Sequence, residues 1–153
     1  MEKWNCREDI IYLTKHLAKL LDADFDRRVS EIGLTAAQAR VLFFINRMDR
    51  FEKVEVHQND IEREFCLAKS TVNGLISRLL KTGYIAKKNV HPYAVLKITQ
   101  EGIDAIAKVK QGRIDVINKL FTGYTEEERQ ITLEKLNKLI DNLEGGNDNV
   151  AKN

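Results

Sequence analysis

Residues 68–85 read AKSTVNGLISRLLKTGYI. Apolar residues recur in this stretch at spacings of three and four, and this pattern predicts an amphipathic helix that starts at Lys69 and stops at Gly83. One face of the helix is therefore expected to pack on a core. The other face is polar, carries mostly short side chains and holds Ser70, Thr71, Asn73, Gly74, Ser77, Arg78 and Lys81.

The charge of this region sets it apart from the rest of the chain. The 153 residues include 25 Lys and Arg and 23 Asp and Glu, yet no acid occurs between Leu67 and Thr99. A basic window in an otherwise acidic chain marks a surface that faces anions. The basic residues of the window are Lys69, Arg78, Lys81, Lys87, Lys88 and Lys97.

Helical spacing and capping signals before residue 68 predict three more helices. Thr35 and Gln38 form a capping box, in which each side chain bonds the backbone N–H of the other residue. The predicted elements are a helix over about residues 6–30, a helix from Thr35 to Met48, a charged loop over 49–55 and a short helix over 58–65.

After Gly83 the hydrophobic period changes from that of a helix to that of a strand. Residues 84–88 and 93–98 predict a hairpin with its turn at Asn89–Pro92, in which Ala94, Leu96 and Ile98 share one face. Thr99 is expected to cap a long helix that ends at Gly123. Thr125 and Glu128 form a second capping box for a last helix, which stops at Gly145–Gly146.

This order of elements predicts a mainly α-helical protein with a winged helix-turn-helix over about residues 35–99. We expect one domain over 1–146, flanking helices over about 6–30 and 100–144, and a flexible tail over 147–153.

A helix that enters the DNA major groove needs a packed back and a polar front with short side chains. The polar face of residues 70–81 meets this need. Ser70, Thr71 and Asn73 can bond base edges, and Gly74 lets the backbone approach closely. Arg78 and Lys81 can pair with guanine or phosphate, and Lys87, Lys88 and Lys97 add charge on the hairpin. The alternative is a winged helix that binds protein, which would not need the basic face and whose binding would not weaken steeply with salt.

Three motifs resemble the MarR family of bacterial regulators: Gly33-Leu-Thr-x-x-Gln-x-x-Val41-Leu42, then Ala68-Lys-Ser-Thr-Val-x-x-Leu75-Ile76-x-Arg78-Leu79-x-x-x-Gly83-Tyr84-Ile85, then Ile98-Thr99-x-x-Gly102. The resemblance covers about residues 10–143. It implies a homodimeric winged-helix transcription factor, more often a repressor than an activator. In such a protein the first helix and the last two helices form the dimer, and the helix at residues 69–82 reads double-stranded DNA.

The sequence departs from the family pattern at two places. MarR-like wings usually carry an Asp-x-Arg pair near the tip, whereas this chain reads Asn89-Val-His91-Pro-Tyr93-Ala94. Lys87, Lys88 or His91 must then replace the arginine, or the wing contacts DNA less. The usual Ser or Thr cap of the short helix is His57, which caps less well, so this helix is expected to start irregularly.

The terminal helices give separate support for a dimer. Each has an apolar face outside a minimal winged helix, and an exposed stripe of this kind is costly unless it is covered. A second copy would cover it, and two-fold symmetry then predicts a pseudo-palindromic operator. The alternative is packing on the protein's own domain. The predicted dimer residues are Ile10, Leu13, Leu17, Leu133, Leu136, Leu139, Ile140 and Leu143.

The resemblance also implies a small-molecule effector bound between the dimer helices and the winged helix. The residues it places there are Tyr12, His16, Arg40, Phe44 and Arg47, although such side chains more often pack or face solvent. Cys6 resembles the N-terminal cysteine of peroxide-sensing relatives, because a thiolate near a helix N-terminus can be reactive. Cys66 is expected to be a small buried filler.

Several classes of function are not expected. The histidines His16, His57 and His91 are scattered, and no phosphate-cradling, dinucleotide or zinc-protease motif occurs, so no catalytic residue, metal site or cofactor is predicted. The longest apolar run, residues 41–45, is too short for a membrane helix. The start of the chain lacks the apolar segment of a secretory signal, so a cytoplasmic location is expected.

Overall fold

The computed structural model describes residues 6–90 and 93–145 and divides the chain into two compact units, one up to Ile114 and one from Asp115. The predicted fold class is confirmed, since the described chain is mostly helical with one antiparallel hairpin. The single domain over 1–146 stays a prediction. The elements are α1 Ile10–Glu31, α2 Ala36–Asn46, α3 Gln58–Phe65, α4 Lys69–Lys81, β1 Ile85–Val90, β2 Tyr93–Ile98, α5 Gln100–Leu120 and α6 Glu126–Glu144.

Helix α1 starts later than the sequence predicted. The Asp9 carboxylate accepts hydrogen bonds from the backbone N–H groups of Ile11, at 2.8 Å, and Tyr12, at 3.1 Å. An aspartate in this position satisfies N–H groups that have no partner within the helix. The helix therefore begins at Ile10 and not near residue 6.

Helix α2 begins at the predicted capping box but ends differently. The Thr35 N–H donates to Gln38 Oε1 at 3.0 Å, and the Gln38 N–H donates to Thr35 Oγ1 at 3.4 Å. After Asn46 the chain widens into a π-helical turn, Arg47–Glu52, where a loop was predicted for residues 49–55. The prediction is correct for residues 53–55 but wrong for residues 49–52, because charge alone does not break a helix and this stretch contains no Gly or Pro.

Helix α3 has the predicted bounds and a regular start. The Asp60 carboxylate accepts the His57 N–H at 2.8 Å, so the expected irregular start does not occur. Cys66 ends the helix in the left-handed conformation, with φ at 51°, and its side chain is exposed. The prediction of a buried filler was wrong because the residue that turns the chain between α3 and α4 lies at the surface.

The hairpin pairs Ile85 with Ile98 and Lys87 with Leu96, and β1 continues to Val90. A third stretch joins it, because the Leu96 N–H donates to the Val56 carbonyl at 2.8 Å. The hairpin therefore has a partner on the outer edge of β2. The expected turn at residues 89–92 lies partly outside the described residues.

The core of the first unit lies between α2, α3 and α4, where Leu42, Ile45, Ile61 and Leu79 are fully buried. Arg28 connects α1 to α5 within the first unit. Its Nη1 donates to the Val109 carbonyl at 2.9 Å, and its Nε donates to the Asp24 carboxylate at 2.7 Å. Because every donor needs a partner in a buried site, these bonds fix where α1 packs.

The second unit holds the end of α5 and all of α6. Gly123, with φ at 85°, lies in the turn between them. The second capping box is confirmed, since the Thr125 N–H donates to Glu128 Oε2 at 2.8 Å and the Glu128 N–H to Thr125 Oγ1 at 3.2 Å. None of the described helices is long and apolar enough to cross a bilayer.

Candidate nucleic-acid interface

Helix α4 separates its apolar and polar residues into two faces. Val72, Ile76 and Leu79 are buried against the core. The residues that the sequence predicted for DNA are all exposed on this helix: Lys69, Ser70, Thr71, Asn73, Gly74, Ser77, Arg78 and Lys81. A large partner can therefore reach the whole polar face at once.

Two features of α4 bear on how closely a partner can approach. Apart from the adjoining residues and the backbone of the helix itself, no atom lies within 4 Å of the place where a Cβ on Gly74 would sit, so the glycine leaves a gap in the polar face. The N-cap residue of α4 is Ala68, whose side chain cannot accept a hydrogen bond from the helix. The first N–H groups of α4 thus have no side-chain cap at this residue, and such groups attract anions.

Arg78 is exposed, but its guanidinium also contacts the protein backbone. Its Nη2 donates to the Gly33 carbonyl at 3.3 Å, in the connection between α1 and α2. A guanidinium has five N–H donors, so one bond to the protein leaves others for a ligand. The arrangement fixes the position of the charge on the polar face.

The three wing lysines do not act as one group. In the register of the hairpin, Lys87 lies opposite Leu96 and Lys88 opposite Val95, so the two neighbouring lysines point to opposite faces. Lys97 does not present a free charge as predicted, because its Nζ lies 2.7 Å from Asp49 Oδ1. Only Lys87 can face the side of the hairpin that contacts α3 and α4.

Sequence reasoning missed the residues that hold the wing. Asp49 accepts from Lys97 through Oδ1 and from the Ile98 N–H through Oδ2, the latter at 3.1 Å. His57 Nδ1 lies 3.0 Å from the Ala94 carbonyl. The charged stretch 49–57 has no hydrophobic period, and no sequence signal of the kind used for helices and strands would have linked it to the hairpin.

The predicted ligand residues fall into separate places. Phe44 and Arg47 line a groove of about 530 Å³ between the end of α2, the π-helical turn and α3. Tyr12 and His16 stack on each other along α1, with ring centroids 5.8 Å apart. Arg40 is exposed on α2 and is not among the groove's lining residues. The structure therefore places only two of the five predicted residues, Phe44 and Arg47, in this groove.

The two cysteines are apart, and neither is in a disulfide. Cys6 is partly buried in the turn before α1, and the helix is capped by Asp9 instead. A redox role of Cys6 stays a prediction. Within residues 6–90 and 93–145, no group of His, Cys, Asp and Glu side chains is arranged to hold a metal ion.

The predicted dimer residues are exposed in the single chain. On α1 the exposed fraction is 56% for Ile10 and 39% for Leu17, and on α6 it reaches 80% for Leu143. Leu13, Leu133, Leu136, Leu139 and Ile140 are exposed as well. Each of the two helices thus carries an apolar face that the chain itself leaves open.

The fold and this surface define a winged helix-turn-helix protein. Residues 32–91 match the model of the MarR family. The resemblance seen in the sequence motifs is thereby confirmed. A comparison with curated proteins found no match.

Solved structures similar to this chain include MepR, a transcription regulator of the Staphylococcus aureus multidrug efflux pump MepA. Identity to it is 18% over 88% of this chain and 98% of that chain, with a TM-score of 0.79. For YusO from Bacillus subtilis the identity is 21% over 88% and 94%, with a TM-score of 0.76. For an S. aureus MepR–DNA complex the identity is 18% over 88% and 96%, with a TM-score of 0.59. At these identities the likeness is one of fold.

Proposed function

We propose that this protein is a sequence-specific, DNA-binding transcriptional regulator that acts as a homodimer. The observation that carries the proposal is the exposed, acid-free face of α4 on a buried apolar back. A helix with these two faces fits the major groove, where short polar side chains reach base edges. The MepR–DNA complex, whose fold is similar, supports this use of the fold.

In this proposal the residues of α4 have two roles, contact with base edges and contact with phosphates. Ser70, Thr71 and Asn73 bond base edges, and Gly74 admits the close approach of the backbone. Lys69, Arg78 and Lys81 neutralise phosphates or pair with guanine. Phosphate contacts set the position of the protein on DNA, and base contacts set the sequence that it prefers.

The apolar faces of α1 and α6 support the dimer. Leucines and isoleucines exposed at these fractions favour burial against another apolar surface. A two-fold dimer presents two copies of α4, which we expect to bind half-sites about one helical turn apart in a pseudo-palindromic operator. We also propose that the dimer represses transcription in the cytoplasm, as the resemblance to the MarR family implies.

We further propose that the groove at Phe44 and Arg47 binds a small effector that relieves repression. Its volume of about 530 Å³ is within the usual range for small-molecule sites. Its charged lining has four carboxylates against two guanidiniums, together with Met48, Val54 and Val56. A lipophilic cation fits this lining.

Tetraphenylphosphonium is a suitable probe for the groove, and it should release DNA from the protein at concentrations that saturate the groove. If calorimetry shows no binding at millimolar probe, this part of the proposal fails.

Selection from a random DNA pool tests the main proposal. The wild-type protein should enrich a pseudo-palindrome, and Lys81→Ala should bind the enriched sequence less tightly. Lys108→Ala is the matched control, since Lys108 is an exposed lysine on α5 and not on α4. If nothing is enriched and no duplex binds, the regulator proposal is wrong and a protein-binding winged helix is favoured.

A further inference from the structure

Tyr84 lies between α4 and β1, and its bonds reach three helices of the first unit. Its hydroxyl donates to the carbonyl of Ile32, the residue that caps the C-terminus of α1, at 2.8 Å. Its backbone N–H donates to the Leu79 carbonyl of α4 at 3.2 Å. Its own carbonyl accepts from the Thr99 N–H, just before α5, at 3.1 Å. One residue thus joins the end of α1 to the end of α4 and the start of α5.

The first turn of α5 lies against the backbone that ends α4. A Cβ on Gly102 would overlap the Tyr84 carbonyl oxygen, so the approach of α5 at this point requires a glycine. The Thr99 hydroxyl donates to the Gly83 carbonyl at 2.6 Å and accepts from the Gly102 N–H at 3.1 Å. The start of α5 is therefore fixed relative to the end of α4.

Arg28 joins the last turn of α1 to the middle of α5. Its side chain is buried, and its guanidinium bonds the Val109 carbonyl. Its stem fills a gap that Gly112 leaves in α5, since a Cβ on this glycine would overlap Arg28 Cδ. The end of α1 is thus held twice, directly by the Tyr84 hydroxyl and through α5 by Arg28.

We propose that Tyr84 and Arg28 are positioning residues, which hold α4 in a fixed orientation to α1 and so set the half-site spacing that the dimer accepts. The inference rests on the proposed function. In that function α1 packs on a second copy through Ile10, Leu13 and Leu17, and α4 reads DNA. The orientation of α4 to α1 within one copy then helps to determine the distance between the two copies of α4.

The proposed DNA contacts do not include either residue. Tyr84 is partly buried against the core and Arg28 is buried, whereas the DNA residues of α4 are exposed. Loss of either tie should therefore leave each α4 able to read its own half-site. The tolerance to half-site spacing should change, because one base pair moves a half-site by about 3.4 Å along the duplex and turns it by about 35°.

The experiment uses duplexes with both half-sites of the selected operator, at the selected spacing and with one base pair added or removed, and a duplex with a single half-site. Wild type should prefer the selected spacing by about tenfold or more, since a misplaced half-site loses its base contacts. Tyr84→Phe keeps the ring and removes the hydroxyl. Its preference should fall about three- to tenfold, as for one lost hydrogen bond, while its affinity for the single half-site stays within about twofold of wild type.

Two further variants accompany Tyr84→Phe. Tyr124→Phe makes the same chemical change on an exposed residue of the second unit and should keep the wild-type preference. Gly112→Ala displaces Arg28 and should relax the preference as Tyr84→Phe does, although alanine is the better helix former. Arg78, which bonds the Gly33 carbonyl next to Ile32, is left unchanged because it is assigned to DNA.

A wild-type spacing preference in Tyr84→Phe or in Gly112→Ala overturns the proposal, and so does an equal loss of preference in Tyr124→Phe. A loss of affinity for the single half-site as large as that for the operator also overturns it, because the tie would then act on α4 alone. Absence of wild-type binding to every duplex overturns the proposed function itself. Circular dichroism and gel filtration establish that each variant is folded and dimeric. Should Tyr84→Phe not fold, Gly112→Ala decides alone.

Discussion

The Asp49 carboxylate joins the π-helical turn to the wing, with Oδ1 2.7 Å from Lys97 Nζ and Oδ2 3.1 Å from the Ile98 N–H. The Asp49 side chain is only 14% exposed, so solvent screens the pair poorly. One side chain therefore sets where the base of β2 lies. The wing is held by a residue that lies 48 positions before Lys97 in the chain.

Asp49→Asn tests this anchor. The amide loses the charge that holds Lys97, and hydrogen bonds to charged groups contribute about 1.5–3 kcal/mol, so the free energy of unfolding should fall by about 1–2 kcal/mol. Amide exchange in residues 95–98 should become faster. Glu52→Gln is the control, because its 3.5 Å pair with Arg47 is solvent-exposed and contributes little. Equal exchange rates in wild type and Asp49→Asn would contradict the anchor.

Arg78→Ala should weaken operator binding about tenfold or more while the dimer stays intact, because a charged hydrogen-bond donor to DNA is lost. A gel-shift titration measures the affinity, and gel filtration checks the dimer. The bond to the Gly33 carbonyl is also lost, so Gly33 and its neighbours should show faster amide exchange. Unchanged affinity would remove Arg78 from the DNA-contacting residues.

Gly74→Ala should change the stability of the fold and the affinity for the operator in opposite directions. Alanine is better than glycine in a helix by about 1 kcal/mol, and the added Cβ meets no atom of the protein within 4 Å, so the variant should unfold at higher urea. Its operator affinity should nevertheless fall, because the methyl group enters the space reserved for DNA. A variant that is more stable and binds equally well would show that DNA does not approach α4 at Gly74.

Leu136→Asp combined with Leu139→Asp should produce monomers. Both side chains are exposed in the single chain, at 44% and 48%, so the substitutions should cost little within one copy but disrupt an apolar interface. Light scattering at micromolar concentration gives the mass. Lys135→Asp on the same helix is a control for added negative charge alone. A dimeric mass for the double variant would exclude this face from the interface.

Asp24 makes part of the stability depend on pH. Burial acts to raise the pKa of Asp24, but hydrogen bonds from Arg27 and Arg28 outweigh it, and the pKa lies below the ordinary 3.8. A lowered carboxyl pKa stabilises the fold above its unfolded-state value, and that stability is lost as the pH falls through the folded-state pKa.

Asp24→Asn should therefore be less stable than wild type at pH 7, by about 1.5–3 kcal/mol, and this difference should shrink below pH 4. Urea unfolding from pH 3 to 7 measures it. Glu31→Gln, in an exposed pair with Arg27, should change stability by less than about 0.5 kcal/mol. A stability difference for Asp24→Asn that is the same at every pH would contradict the assignment.

The sequence predicted the parts of the fold that depend on local rules. The boxes at Thr35 and Thr125 start α2 and α6, and the apolar period of residues 69–81 sets the buried face of α4. These signals lie within one helix, so they can be seen without a structure. The order of the elements then predicted the winged helix-turn-helix.

The sequence did not predict features that depend on contacts between distant residues. The bond of Asp49 to Lys97 removes one of the predicted wing cations, and no periodic pattern links positions 49 and 97. The faces of Lys87 and Lys88 depend on the register of the hairpin, which the sequence left open. Cys66 is exposed because the turn between α3 and α4 needs a left-handed residue there.

Reading of DNA by α4 is measured by the affinity of the purified dimer for the selected operator and for a scrambled duplex between 50 and 200 mM salt. If α4 reads the major groove with six or more phosphate contacts per dimer, affinity for both duplexes should fall by about a thousandfold or more over this range. The operator should stay tighter throughout. If neither duplex binds at 50 mM salt, or if both bind equally at every salt concentration, α4 does not read an operator.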